Sequence, residues 1–221
     1  MMNIAIDGPA GAGKSTIAKK VAQAMTCIYV DTGAMYRAMA LYLLKKGIAP
    51  EDVAGMEKAC EEAEISICFK DGCQRVMLGD EDVTDYLRTD EVSQMASISS
   101  AVPAIRVKLV SLQQKLARET SVVMDGRDIG TVVLPDAEVK IFLTASAHVR
   151  AVRRFKEMQE KGDTSMTLEE IEASIRERDE RDTTREASPL KQAEDAVLLD
   201  SSDMTIDQVT DRILEIAHGK C

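Results

Sequence analysis

Asn3-Ile4-Ala5-Ile6-Asp7-Gly8-Pro9-Ala10-Gly11-Ala12-Gly13-Lys14-Ser15 is a short apolar run, then a glycine-rich loop, then the start of a helical pattern that extends to Met25. The loop fits G-x-x-x-x-G-K-[ST] at every fixed position, and the strand and helix on either side are the context that this motif requires. The glycines let backbone N–H groups turn inward around a phosphate, and the helix N-terminus adds a dipole favourable to anions. Lys14 has the reach for β- and γ-phosphates, and the Ser15 hydroxyl suits Mg²⁺. The plain alternative is a glycine turn with a capping Ser. The complete motif in its strand–helix setting favours a nucleoside triphosphate site.

Outward from the loop, apolar runs alternate with helical patterns, which predicts a parallel sheet wrapped by helices. Besides Ile4–Asp7, the expected strands are Cys27–Val30, Val122–Met124, Val139–Leu143 and Ala196–Leu199. Most end in a polar or glycine cluster, usually with an Asp: Asp31-Thr32-Gly33, Asp125-Gly126 and Asp200-Ser201-Ser202. The carboxyl ends of strands are where open α/β sheets hold ligands. Thr167-Leu168-Glu169-Glu170 and Thr205-Ile206-Asp207-Gln208 are capping boxes that open two late helices. In the second, Ile206, Val209, Ile213, Leu214 and Ala217 share a face. From about Gly47 to Ser100 the alternation breaks. Ile65–Phe69 and Arg75–Leu78 alternate at period two around a turn at Asp71-Gly72, so a hairpin-bearing insertion interrupts the core.

Composition narrows the function classes. A chain of 221 residues is one ordinary domain or a core with insertions. A formal charge of -10 argues against general binding to a nucleic acid polymer. The five cysteines, Cys27, Cys60, Cys68, Cys73 and Cys221, form no CxxC pair and read as reduced cytoplasmic thiols. The only histidines, His148 and His218, sit far from any ligand-like cluster, so zinc is not expected. No apolar run reaches a membrane span. No oligomerisation surface stands out, and a monomer is the default expectation.

Three constellations carry chemistry. In Asp31-Thr32-Gly33-Ala34-Met35-Tyr36-Arg37, a hydroxyl at a helix start and an arginine one turn later can hold a second phosphate. An N-cap with a surface arginine explains the same residues. In Asp125-Gly126-Arg127-Asp128-Ile129-Gly130, Asp125 ends a strand as an acid near a nucleotide's magnesium does. Arg127 can neutralise a phosphate, and the Asp128 carboxylate can accept from the exocyclic amine of cytosine while repelling the uracil carbonyl. A loop ion pair is the alternative. In the run from Arg176 to Arg185, Arg178, Arg181, Asp182 and Arg185 share a helical face, suited to a lid over a transferring phosphoryl group. A solvated helix of local ion pairs is the alternative. Arg150, Arg153 and Arg154 form a further group that could equally be snorkelling surface cations. On the residues alone Ser97 is unremarkable, and Arg106 reads as a surface cation.

These stretches, in this order and spacing, make the chain resemble the bacterial cytidylate kinase family essentially end to end. The loop is shared by many NTPases, whereas DTGAMYR and DGRDIGT are far more specific. The resemblance implies transfer of the γ-phosphoryl of ATP to CMP or dCMP with Mg²⁺, giving ADP and the diphosphate. It implies an α/β fold: a P-loop NTPase core with a five-stranded parallel sheet (1–32, 106–149 and 186–221), an inserted NMP-binding region with a hairpin (33–105) and a short helical lid (150–185). It implies that Gly8, Pro9, Ala10, Gly11, Ala12, Gly13, Lys14, Ser15 and Thr16 cradle ATP, with Arg150 and Arg154 on the lid side facing it and Ser15 on the metal. Thr32, Arg37 and Arg127 would hold the CMP phosphate, with Tyr36 in the same substrate set. Ser97, Arg106 and Asp128 would read the cytosine edge. Arg178 and Asp182 would touch the ribose, with Arg185 nearby on base or phosphate. Lys14, Arg127, Arg178 and Arg185 are the expected catalytic cations. Another small-molecule kinase, shikimate-type or UMP-preferring, is the rival. A GTPase-type switch would want N-K-x-D, which the sequence lacks.

Overall fold

The computed structural model describes residues 1–70 and 72–220. Asp71, half of the expected hairpin turn, and Cys221 lie outside the described residues. In chain order the elements are β1 Asn3–Asp7, α1 Lys14–Ala24, β2 Ile28–Asp31, α2 Thr32–Lys45, α3 Val53–Glu62, β3 Ile65–Lys70, β4 Cys73–Leu78, β5 Glu81–Asp82, α4 Asp90–Ser99, α5 Pro103–Glu119, β6 Val122–Gly126, β7 Val139–Thr144, α6 Ala147–Glu160, α7 Leu168–Thr184, β8 Val197–Asp200 and α8 Ile206–His218. A 3₁₀ turn at Thr84–Tyr86 and a π-turn at Ile129–Val133 complete them. The chain forms two compact units, residues 30–120 and the remainder.

The expected five-stranded sheet is present, in the order β2-β6-β1-β7-β8. β1 pairs in parallel with β6 and β7, and β7 in parallel with β8. A parallel sheet with helices on both faces buries its central strands completely, which is why Ile4, Ala5, Ile6, Val122, Val123 and Met124 are continuous apolar runs without alternation. Ile17, Ala18 and Val21 of α1 and Val209, Ile213 and Ala217 of α8 pack on Ile4, Ile6, Ile141 and Leu143. Burial of each such Ile or Leu contributes roughly 1.5–3 kcal/mol. The α8 face is narrower than its periodicity suggests, since Ile206, in the capped first turn, is half exposed. Both capping boxes form, with Thr167 and Thr205 accepting from the Glu170 and Gln208 amides and those side chains returning to the cap backbones. Ala151 and Met158 of α6 pack on Ile171 of α7.

Register sets the level at which the loops leave the sheet. Ile6 lies opposite Asp125, and Asp7 lies opposite Gly126. The segments after β1 and β6 therefore start side by side at the carboxyl end of the sheet.

The unit of residues 30–120 contains the expected hairpin. β3, β4 and β5 form an antiparallel sheet, with Ile67 opposite Val76 and Lys70 opposite Cys73. Gly72 adopts the left-handed φ of 73° that such a hairpin end requires. Met35, Met39, Leu43, Met56, Leu87, Met95, Ile105 and Leu109 make a separate, methionine-rich core, with Ile65 and Val76 of the hairpin joined to it.

Candidate active site

The loop between β1 and α1 adopts the conformation that its glycines allow. Gly8, Gly11 and Gly13 have φ of 149°, 75° and 88°. At Gly8 the constraint is also steric, because a Cβ there would lie 1.9 Å from the Leu143 carbonyl oxygen of β7. Gly13 caps α1 without a side chain, which leaves the first-turn N–H groups turned to the loop. Lys14 lies beneath it, buried, and its Nζ donates to the Pro9 carbonyl at 2.7 Å. Burial lowers its pKa to about 7; Arg127 pushes the same way, while Asp125 and Asp7 oppose. An anion beside a lysine held this way would favour its charged form. Thr16 is exposed on the first turn of α1.

The Ser15 hydroxyl donates to Asp125 Oδ2 at 2.9 Å, and Tyr29 donates to Asp125 Oδ1 at 2.8 Å. Two hard oxygens, one on the first turn of α1 and one near the end of β6, are thus paired. They fit Mg²⁺, which takes one or two protein oxygens and fills its octahedron with phosphate and water. Among the described residues no cluster of three or more His, Cys, Asp or Glu side chains forms a self-sufficient metal cage. A metal held here would therefore rely on nucleotide oxygens.

The Asp125–Gly130 segment is fixed from below by Asp7. The Asp7 carboxylate accepts from the Ile129 and Gly130 amides, each at 2.7 Å. Burial lifts its pKa to about 6, the two amides oppose the rise and Asp128 adds to it. Asp128 is buried at the start of the π-turn. Arg127 Nε donates to Asp182 Oδ2 at 2.8 Å. Burial would raise the Asp182 pKa, but Arg127, Arg178 and Arg185 more than offset it and hold the carboxyl below the usual range. Arg127, Arg178, Asp182 and Arg185 thus form one electrostatic cluster. Arg185 also donates from Nε to the Ser188 carbonyl at 2.8 Å. Arg181 does not join, contrary to the shared-face reading. It is exposed and turned to Glu177 at 4.0 Å, because Arg178, Asp182 and Arg185 occupy the inner three-and-four spacing.

Arg150 differs most from its surface-cation alternative. It is buried, and its guanidinium donates to the Ala145 carbonyl at 2.8 Å, the Ala10 carbonyl at 3.0 Å and both Asp179 carboxylate oxygens at 3.0 and 2.6 Å. It ties the nucleotide loop to α7. Arg153 holds the Ser201 carbonyl at 2.6 Å. Arg154 is exposed, 4.0 Å from Glu157.

In the unit of residues 30–120 Asp31, rather than Thr32, caps α2, accepting from the Ala34 amide at 2.9 Å. The buried Thr32 is the first helical residue. Arg37 Nη2 donates to both Asp31 oxygens at 3.2 and 3.0 Å. Arg106 is buried under the Tyr36 ring, 5.6 Å from its centroid, and donates to the Ser100 carbonyl at 3.2 Å, so it is no surface cation. Ser97 is half-buried on α4. Sequence reading missed Gln74 and Arg88, which both reach Asp31 from the insertion. Nothing in their local pattern marks them, because both contacts span more than forty residues.

The cytidylate kinase family profile matches residues 4–219. A cytidylate kinase of Carboxydothermus hydrogenoformans is 48% identical over 219 residues, covering 99% of this chain and 98% of its own length. One of Caldicellulosiruptor bescii is 50% identical over 220 residues, covering 98% and 96%. Among solved structures, an uncharacterised protein of Eubacterium ventriosum shares the fold, with a TM-score of 0.52 and 16% identity over 99% of this chain and 98% of that one. A phosphate loop on a five-stranded parallel sheet, an arginine–aspartate cluster at its carboxyl end, and relatives that match nearly end to end agree: this chain belongs to the cytidylate kinase family.

Proposed function

We propose that the chain transfers the γ-phosphoryl of ATP to CMP and dCMP in one in-line step. In this reading Gly8 to Thr16 cradle the donor phosphates. Lys14 neutralises the developing charge between β- and γ-phosphates, and Arg150 and Arg154 lie on the donor side. Arg127, Arg178 and Arg185 stabilise the transferring group. Thr32, with Tyr36 and Arg37 of the insertion, serves the acceptor's phosphate; Ser97, Arg106 and Asp128 serve its base, and Asp182 its ribose. Residues 150–185 act as the lid and 33–105 as the acceptor-binding region. The protein is read as a cytoplasmic monomer with no polymer or membrane partner. Among the described residues no single helix is long and apolar enough to cross a membrane.

The acceptor is a phosphate oxygen that is already anionic, so the reaction needs no strong general base. Most of the catalysis is alignment and screening of two anionic nucleotides in a water-poor site. Ser15 and Asp125 would hold Mg²⁺, which when bound neutralises charge on the donor phosphates. The observation that supports this reading most strongly is that Asp125, hydrogen-bonded to Ser15 of the donor loop, stands in the same short segment as Arg127 and Asp128. Donor and acceptor chemistry are thereby tied to one strand end.

The test is an acceptor panel. CMP, dCMP, UMP, AMP, GMP and shikimate are each offered with ATP, and ADP release is followed. CMP and dCMP should dominate, and Asp128→Asn should cut the preference for cytosine over uracil by about ten-fold. Equal turnover of UMP by the unmodified protein, or a preference untouched by Asp128→Asn, refutes the assignment.

A further inference from the structure

The hairpin insertion has a chemical connection to the start of α2 that the reading above leaves unused. Gln74 of β4 clamps the backbone of Asp31 from both sides. Its Oε1 accepts from the Asp31 amide at 2.7 Å, and its Nε2 donates to the Asp31 carbonyl at 3.2 Å. Asp31 is thus fixed in position as well as capping α2. Two guanidiniums converge on its carboxylate. Arg37 approaches within 3.0 Å, and Arg88 Nη2 within 3.5 Å of the same Oδ2. Arg88 stands between buried Leu87 and the α4 cap Thr89, so its backbone is anchored while its side chain stays 73% exposed.

Two features show that this is not a finished ion pair. Arg37 Nε is buried and has no hydrogen-bond partner among the described residues. A buried donor left unmade is costly and is satisfied in native structures by water or ligand. Arg88 meets the carboxylate at the outer limit of a hydrogen bond, a distance at which a better-placed anion wins it. Two cations also share the one Asp31 carboxylate oxygen, so neither has a counter-ion of its own there.

We propose that Asp31 is an internal stand-in for the acceptor's phosphate, and that Arg88 is a further phosphate-binding residue beside Arg37. Gln74 is the positioning residue by which the hairpin holds this anion site in register. When a phosphomonoester arrives, its three oxygens offer acceptors for Arg37 Nε and for Arg88, and Asp31 keeps its cap on α2. The inference rests on the CMP kinase reading and deepens it, since it gives the hairpin, through Gln74, and Arg88 a part in recognition of the phosphate.

The experiment compares CMP with cytidine, which has the same base and sugar but no phosphate. KM for CMP and the competitive inhibition constant of cytidine are measured for the unmodified protein, Arg88→Ala, Arg88→Lys and Gln74→Ala, with KM for ATP as the control. Arg88→Ala should raise KM for CMP about ten-fold or more, the loss expected for a charged hydrogen bond, with cytidine inhibition and KM for ATP unchanged. Arg88→Lys should recover part of the loss. Gln74→Ala should show the same split with Arg88 intact. Unchanged KM for CMP in Arg88→Ala, or an equal loss for cytidine, overturns the proposal. Failure of the unmodified protein to phosphorylate CMP sinks the underlying reading instead, so the two failures are distinct.

Discussion

At the scale of single residues, Lys14 carries the clearest expectations. Its ammonium is buried and held by one carbonyl, and its pKa is lowered to about 7. Removing it relieves the desolvation cost of burial and takes away the charge proposed to serve the transition state. Lys14→Ala should therefore lower kcat by about 100-fold or more while leaving the melting temperature no lower. Near-normal turnover would contradict the role. The same lysine predicts a proton linkage. A group whose empty-state pKa is depressed takes its proton back when anions bind. At about pH 8, ATP binding should take up close to one proton, and at about pH 6 almost none. Calorimetry in buffers of different ionisation enthalpy reads this directly, and heats independent of buffer at the higher pH would exclude it.

At the scale of elements, the loop and the helix caps separate steric necessity from local preference. A Cβ on Gly8 would meet a backbone oxygen of β7, which cannot move aside without breaking the sheet. Gly8→Ala should cost about 3 kcal/mol or more in denaturant unfolding, near the top of what overpacking does. Thr205→Ala removes one half of a capping box on α8 and should cost about 1 kcal/mol with kcat unchanged. Both features were legible in the sequence. The motif glycines, the five apolar runs and the two capping boxes are local patterns, and local physics decides them. Asp31 was harder, because Asp31 and Thr32 are both competent caps and only the chain's path selects the first. Arg150 and Arg106 misled because cations on amphipathic helices are usually at the surface. Their burial depends on distant partners, Ala10 and Asp179 for one and Tyr36 for the other.

At the scale of the whole molecule, the net charge of -10 sits uneasily with anionic substrates, and arginine placement resolves the conflict. Arg127, Arg178 and Arg185 gather around Asp182 in one unit, and Arg37 and Arg88 around Asp31 in the other. Each group is held by a carboxylate, so positive charge is gathered locally without making the surface basic. No sequence pattern announces this. Gln74 and Arg88 are unremarkable in their own stretches, and only the fold brings them to Asp31. The buried fork of Arg150 has a similar long reach, with one guanidinium holding the Ala10 carbonyl and both oxygens of Asp179. A joint made this way gives way in one step, since withdrawal of α7 takes both Asp179 oxygens from a buried guanidinium and leaves its charge uncompensated. The kinase should therefore come apart in a set order on warming. Amide exchange at 10–13 and along α7 should accelerate together, ahead of the sheet, and Asp179→Ala should bring both forward to the same lower temperature.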